Sequence, residues 1–205
     1  MVATLGALLV LLYTGMEVMV VQARPLWNTS LLPLIFAVTA MTGGIGMTAL
    51  FEAFAGNRES APLLNQWLAR GVWATLALLV LWLVLGLSGT STAASEALAA
   101  MRTSFGWLVT GGWLFGSTLL TLWLAKNNRH SLIMPALLAL HGAWLIRWIV
   151  FIGGQSLPKI GSATHAYYLT LTPDSLLGIV GMAGLCVTLY IILTSLIPWD
   201  DQASA

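Results

Sequence analysis

The sequence predicts an all-α, polytopic transmembrane helix bundle with six spans. Three observations carry that reading. Hydrophobic residues make up 59% of the 205 residues and charged residues only 7%, whereas a soluble domain carries about 25% charged residues. The mean hydropathy is +0.90. The apolar residues fall in blocks of about 20, one bilayer core long at about 1.5 Å per residue. The breaks between blocks collect Pro, Gly, Asn and the charges. Inside a bilayer core each backbone group needs a partner within its own segment, so the blocks are helices. Barrel strands would alternate apolar and polar residues instead.

The first span runs from Val2 to Val21. It has no basic leading region and no small-residue cleavage pattern, so it reads as a bundle helix rather than a signal peptide. Arg24-Pro25-Leu26-Trp27-Asn28 separates it from the second span, Leu31 to Phe54. Pro33 falls near that helix start, where a missing N–H costs least, and Gly43-Gly44-Ile45-Gly46 is a candidate break within it. The connection Gly56 to Pro62 leads to the third span, Trp67 to Leu87. Ser88 to Ser104 is small and polar, with a candidate surface helix over Ser95 to Met101.

The fourth span, Phe105 to Ala125, ends in the basic turn Lys126-Asn127-Asn128-Arg129-His130. The fifth runs from Leu132 to Gly153, with Pro135 near its start. The longest connection, Gly154 to Asp174, closes on Thr172-Pro173-Asp174-Ser175, a start signal for the sixth span, Leu176 to Ile197. The chain reads as a single integral-membrane domain over 1–205.

Tryptophan marks the boundaries. Trp27, Trp67, Trp107, Trp123 and Trp199 sit at span ends, where amphipathic rings prefer the interface. Trp82, Trp113 and Trp144 lie deeper and read as packing residues. The small residues Ala40, Gly44 and Thr48, and the pair Gly112 and Gly116, are spaced for close helix approach. One side of the membrane collects Arg24, Arg102 and Lys159, the other Arg58, Arg70, Lys126 and Arg129. That small excess leans towards a cytoplasmic second side holding both termini.

Composition also excludes function classes. A net charge of +1 leaves no nucleic-acid footprint. One cysteine, Cys186, excludes a disulfide framework and multi-cysteine metal sites. Bis-histidine haem needs two facing intramembrane histidines, and His130 and His165 read as loop residues. No cofactor is expected to be held covalently or by metal ligands.

Intramembrane polar groups are then the functional pointers, since a charge at a helix centre costs roughly 2.5–3.5 kcal/mol. Tyr13 and Glu17 are four apart and share a helix face, with Gly6 on the same face. A phenol beside a carboxylate suits a quinol head group: one hydrogen-bonds a quinone oxygen, the other takes a proton. Glu17 snorkelling, or pairing with another helix, is the structural alternative. Arg147 either neutralises Glu17 or Glu52, lines a polar cavity, or makes a structural ion pair. Glu52 lies near a span end, where snorkelling suffices. His141 is either a proton relay or a histidine hydrogen-bonded to a neighbour.

The segments Tyr13-Thr14-Gly15 and Arg24-Pro25-Leu26-Trp27-Asn28-Thr29-Ser30-Leu31-Leu32-Pro33-Leu34-Ile35-Phe36, with the late Arg147-to-Gln155 element, resemble the signature of the NrfD/PsrC family. These are membrane subunits of molybdopterin oxidoreductases. The resemblance implies a membrane anchor that oxidises quinol, either menaquinol or ubiquinol, in anaerobic respiration at the bacterial inner membrane. Electrons would pass to a four-cluster iron–sulfur subunit and on to a molybdopterin catalytic subunit, with tetrathionate the expected acceptor. It implies that Tyr13 and Gly15 belong to a quinone-binding element. Glu17 falls where many members are aliphatic, so its role rests on the helical-face argument alone. Members usually carry about three helices ahead of the Tyr-Thr-Gly helix, so the chain is expected to be N-terminally truncated. Two other classes remain open: a small multi-pass transporter with a broken second helix, and a truncated structural fragment that oxidises no quinol.

Overall fold

The computed structural model describes residues 2–127, 131–157, 170–173 and 175–196. The described residues are helical, joined by turns, with no strand among them. The chain divides into two units, Met1–His165 and Ala166–Ala205. The first holds α1 (Val2–Met19), α2 (Leu32–Phe54), α3 (Ala61–Leu87), α4 (Thr92–Arg102), α5 (Phe105–Asn127) and α6 (Ile133–Trp148). A π-helical turn, Ile149–Gly153, and the short α7 (Gly154–Ser156) continue α6. The second unit holds α8 (Leu176–Leu196).

Five helical stretches are long and apolar enough to cross a membrane: Leu32–Phe54, Ala61–Leu87, Phe105–Asn127, Ile133–Ser156 and Leu176–Leu196. The first expected span is also helical, as the 18-residue α1. The chain is a multi-pass membrane protein. Short connections make sequence neighbours antiparallel. α2 packs on α3, α3 on α5, α5 on α6, and α6 back on α2, which closes a four-helix ring. α1 packs against α2 from outside the ring, and α4 lies against α3 and α5.

Inside the ring, apolar clusters alternate with hydroxyls. Leu68, Val72, Leu76 and Leu122 form the central cluster, and Leu32, Phe36, Leu145 and Ile149 a larger one towards α4. Thr39, Thr42, Thr75, Ser117, Thr118 and Thr121 are all buried. Each gives its hydroxyl proton to its own helix, for example Thr42 to the Val38 carbonyl at 2.7 Å and Thr121 to that of Ser117 at 2.7 Å. This self-capping lets a hydroxyl sit in an apolar bundle without an unmatched donor.

Several boundaries moved, each for a local reason. α3 begins at Ala61 rather than Trp67, because Pro62 opens the helix instead of ending the loop. The surface helix spans Thr92–Arg102, since the Ser91 side chain accepts the Ala94 N–H and caps it earlier. α2 runs unbroken through Gly43-Gly44-Ile45-Gly46. There Gly43 and Gly46 admit α6: an added Cβ on Gly43 would lie 3.3 Å from that of Ala143, and one on Gly46 3.1 Å from the Ala136 carbonyl. The glycines of the expected small-residue pairs, Gly44, Gly112 and Gly116, have nothing within 4 Å of an added Cβ. Close approaches occur instead at Gly15, Gly43, Gly46, Gly71, Gly86, Gly153 and Gly154, and at Gly178 in the second unit.

The tryptophans also divide differently. Trp67 and Trp123 are exposed near helix ends as expected. The Arg70 guanidinium lies 4.8 Å from the centre of the Trp67 ring, and Lys126 Nζ 5.3 Å from that of Trp73. Trp113 and Trp144, expected to pack inside, are more than half exposed. Trp199 lies outside the described residues. In the second unit, Ser175 Oγ accepts the Thr170 N–H at 3.1 Å just before α8, at the expected start signal.

Candidate functional site

The α1–α2 connection and the end of α6, more than 120 residues apart in sequence, meet at one end of the ring. Trp27 Nε1 donates to the Val150 carbonyl at 2.5 Å. Arg24 Nη1 donates to the Gln155 carbonyl at 3.0 Å and reaches that of Leu157 at 3.4 Å. The π-helical turn makes the meeting possible. It widens the helix locally, and the Val150 carbonyl accepts from Trp27 as well as from the Gly154 N–H. Gly153 and Gly154 leave the space. A Cβ on Gly154 would overlap the Trp27 indole, and one on Gly153 would lie 3.0 Å from the Trp107 ring and 3.2 Å from Leu26. The two segments that carry the NrfD/PsrC resemblance thus form one hydrogen-bonded joint.

α1 is fixed to the same end by Gly15. A Cβ there would overlap the backbone of Pro33 and lie 3.2 Å from the Leu32 carbonyl, so α1 crosses the start of α2 backbone to backbone. Gly15 is buried, while Tyr13 and Glu17 flank it on the outward side. Tyr13 is 62% exposed, and Gly6 on that face has nothing within 4 Å of an added Cβ. Among the described residues the face of Gly6, Tyr13 and Glu17 is therefore open, and Gly15 serves as the packing contact behind it.

The other candidates are held by neutral groups. Arg147 Nη1 donates to the Ala143 carbonyl at 2.8 Å and to Thr39 Oγ1 at 3.3 Å, and Nη2 to the Phe36 carbonyl at 3.4 Å. Its guanidinium lies 5.3 Å from the centre of the Phe36 ring. The expected partners differ accordingly: Arg147 ties α6 to α2 without a carboxylate among these contacts. Glu52 instead accepts the Ser60 hydroxyl at 3.1 Å, tying the end of α2 to the start of α3. His141 Nε2 accepts the Trp113 indole N–H at 2.8 Å, and its ring lies 6.1 Å from those of both Trp113 and Trp144. Arg147, His141 and the Tyr13–Glu17 pair are three separate placements, not one constellation.

Sequence reasoning read Trp27 as an interface anchor and missed its bond across the bundle. The available signal was Gly153-Gly154 late in the fifth span. Two glycines at a helix end imply that something bulky lies against the backbone, and a tryptophan supplies it.

The family model described as polysulphide reductase, NrfD, matches residues 1–159. The chain is 33% identical to a subunit of tetrathionate reductase from Salmonella typhimurium, over 93% of this chain and 56% of that protein. It is 23% identical to a subunit of selenate reductase from Mesobacillus selenatarsenatis, over 90% of this chain and 47% of that one. The chain spans about half the length of these curated relatives. No solved structure matches it significantly. The family model covers the α1–α2 connection and the late Arg-to-Gln element that the fold joins, and the chain belongs to the NrfD family of membrane proteins.

Proposed function

We propose that this chain is part of a membrane anchor that oxidises quinol and passes its electrons to the iron–sulfur partner of a molybdenum reductase, with tetrathionate as the acceptor. The observation that carries the reading is the 33% identity to the tetrathionate reductase protein across 93% of the chain. The open Tyr13–Glu17 face beside the Gly15–Pro33 crossing supports it chemically. Oxidation of a quinol releases two electrons and two protons. The Tyr13 phenol hydrogen-bonds a quinone oxygen and holds the ring, and Glu17, one turn further along α1, accepts the two protons one after the other and passes each to water. Gly15 positions both by locking α1 to α2. His141, whose Nε2 accepts the Trp113 indole N–H and whose neutral ring therefore carries its proton on Nδ1, can donate that proton along a relay, and Arg147 supplies a half-buried positive charge. The electrons leave through the iron–sulfur subunit to the molybdopterin subunit at the bacterial inner membrane.

The test uses the assembled reductase carrying Tyr13→Phe. Quinol-dependent tetrathionate reduction falls about 100-fold, the scale of losing one positioned donor. Reduction driven by a soluble dye that feeds the iron–sulfur subunit directly stays unchanged. An unaltered quinol-dependent rate would remove Tyr13 from the site.

A further inference from the structure

A second candidate site lies inside the first unit, in a cavity whose lining includes neither Tyr13 nor Glu17. A cavity of about 330 Å³ opens between the α1–α2 connection, the start of α2, α3, α4, α5 and the end of α6, within the size range of small-molecule pockets, about 300–1,000 Å³. Its walls run along α3 from Leu87 to Leu79, eight residues, which is on the order of 12 Å of helix. The lining is mostly hydrocarbon and aromatic, Trp82 and Trp107 among it, with Thr29 as a polar side chain and Arg102 as the charged one. We propose that this cavity holds one acyl chain of an anionic phospholipid, with the headgroup phosphate on Arg102.

Three features select that occupant. The cavity is long, and an extended chain fills a long apolar slot. Arg102 ends α4, the helix that lies against α3 and α5. Leu98 and Met101 of the same helix line the cavity. Leu98 and Arg102 are four apart, so the apolar wall and the cation share one face, while Glu96 is two residues from Leu98 and points away from it. A guanidinium at the mouth of a hydrocarbon slot matches an amphiphile with a phosphate above its chain. Finally, among the described residues no carboxylate or imidazole lines the cavity, so it lacks the base that oxidising a quinol head group requires.

The experiment is native mass spectrometry of the full chain, delipidated in detergent and titrated with phosphatidylglycerol or phosphatidylcholine. The wild type is expected to bind one phosphatidylglycerol about tenfold more tightly than phosphatidylcholine, and Arg102→Gln to erase that preference. Gly111 lines the cavity and an added Cβ there meets nothing within 4 Å, so Gly111→Leu starts from open space and takes up volume in the slot. It is expected to weaken both lipids about equally, with thermal unfolding in detergent unchanged. Equal binding of the two lipids by the wild type overturns the proposal. So does binding that survives both substitutions, or one-for-one displacement of the lipid by a quinone with an isoprenoid tail.

Discussion

The indole of Trp27 and the carbonyl of Val150 are joined by a 2.5 Å hydrogen bond across 123 residues of sequence. The bond ties the loop after α1 to the π-helical turn after α6, and Arg24 reinforces it on the Gln155 and Leu157 carbonyls. Trp27→Phe keeps most of the ring and removes the donor. Val150 retains its bond from the Gly154 N–H, so the expected loss is about 1 kcal/mol. Trp27→Ala also empties the space beside the π turn and is expected to cost about 3–5 kcal/mol. Reversible unfolding in mixed micelles separates the two: no loss in Trp27→Phe would show that the bond contributes nothing, and equal losses in the two variants that the ring's packing contributes nothing.

Gly154 is coupled to the same indole. A methyl group there overlaps Trp27, so Gly154→Ala alone displaces the ring and breaks the joint, at a cost of about 1–3 kcal/mol. In a Trp27→Ala background the obstacle is gone. The second substitution should then cost little more, and a double-mutant cycle should return a coupling of about 1 kcal/mol or more. Additive losses would mean that Gly154 is required for its backbone rather than for the space it leaves.

Gly15 makes the corresponding prediction on the other side of the connection. A Cβ at this position meets Pro33 backbone atoms, which cannot rotate aside as a side chain does. Gly15→Ala is expected to push α1 away from α2 and to expose the α1–α2 connection to protease. In the assembled reductase it should lower quinol-dependent turnover although Tyr13 and Glu17 are intact. Gly6→Ala, on the open face with nothing within 4 Å, is the matched control and should leave cleavage unchanged.

Much of this architecture was legible because a bilayer makes simple demands. Apolar blocks of about 20 residues are helices there, and the second, fourth, fifth and sixth spans fell within a few residues of their observed bounds. Pro62 misled because a proline both ends loops and opens helices, and only the chain's direction of entry decides which. The glycines misled for a related reason. Spacing identifies which small residues share a face, but whether a neighbour occupies that face is a tertiary fact. Gly43 and Gly46 meet α6, whereas Gly44, between them, meets nothing. The site was legible at the level of its segments. Tyr13 and Glu17 share a face, as their spacing requires. The partners of Arg147 and Trp27 were not legible, because carbonyls make no mark in a sequence and both side chains bond to carbonyls.

Arg147 is where that distinction has the largest measurable consequence. An arginine in a helix of the ring invites the expectation of an ion pair, and deleting one partner of a buried pair strands the other charge at about 3–5 kcal/mol. Here the guanidinium donates to Thr39 Oγ1 and to the Phe36 and Ala143 carbonyls. Each acceptor has a place in its own helix: Thr39 donates onward to the Ile35 carbonyl at 2.7 Å, and the Phe36 carbonyl receives that hydroxyl at 3.2 Å. Arg147→Met therefore leaves no charge behind and no acceptor without a helical partner. Its thioether replaces the guanidinium beside the Phe36 ring, whose centre lies 5.3 Å from the guanidinium carbon. The expected change in unfolding free energy is within about 1 kcal/mol, far from the loss an ion pair predicts. If quinol-dependent turnover nevertheless falls in the assembled reductase, Arg147 is retained for its charge and not for the fold. A loss of stability near the ion-pair figure would place a carboxylate against Arg147 in the membrane.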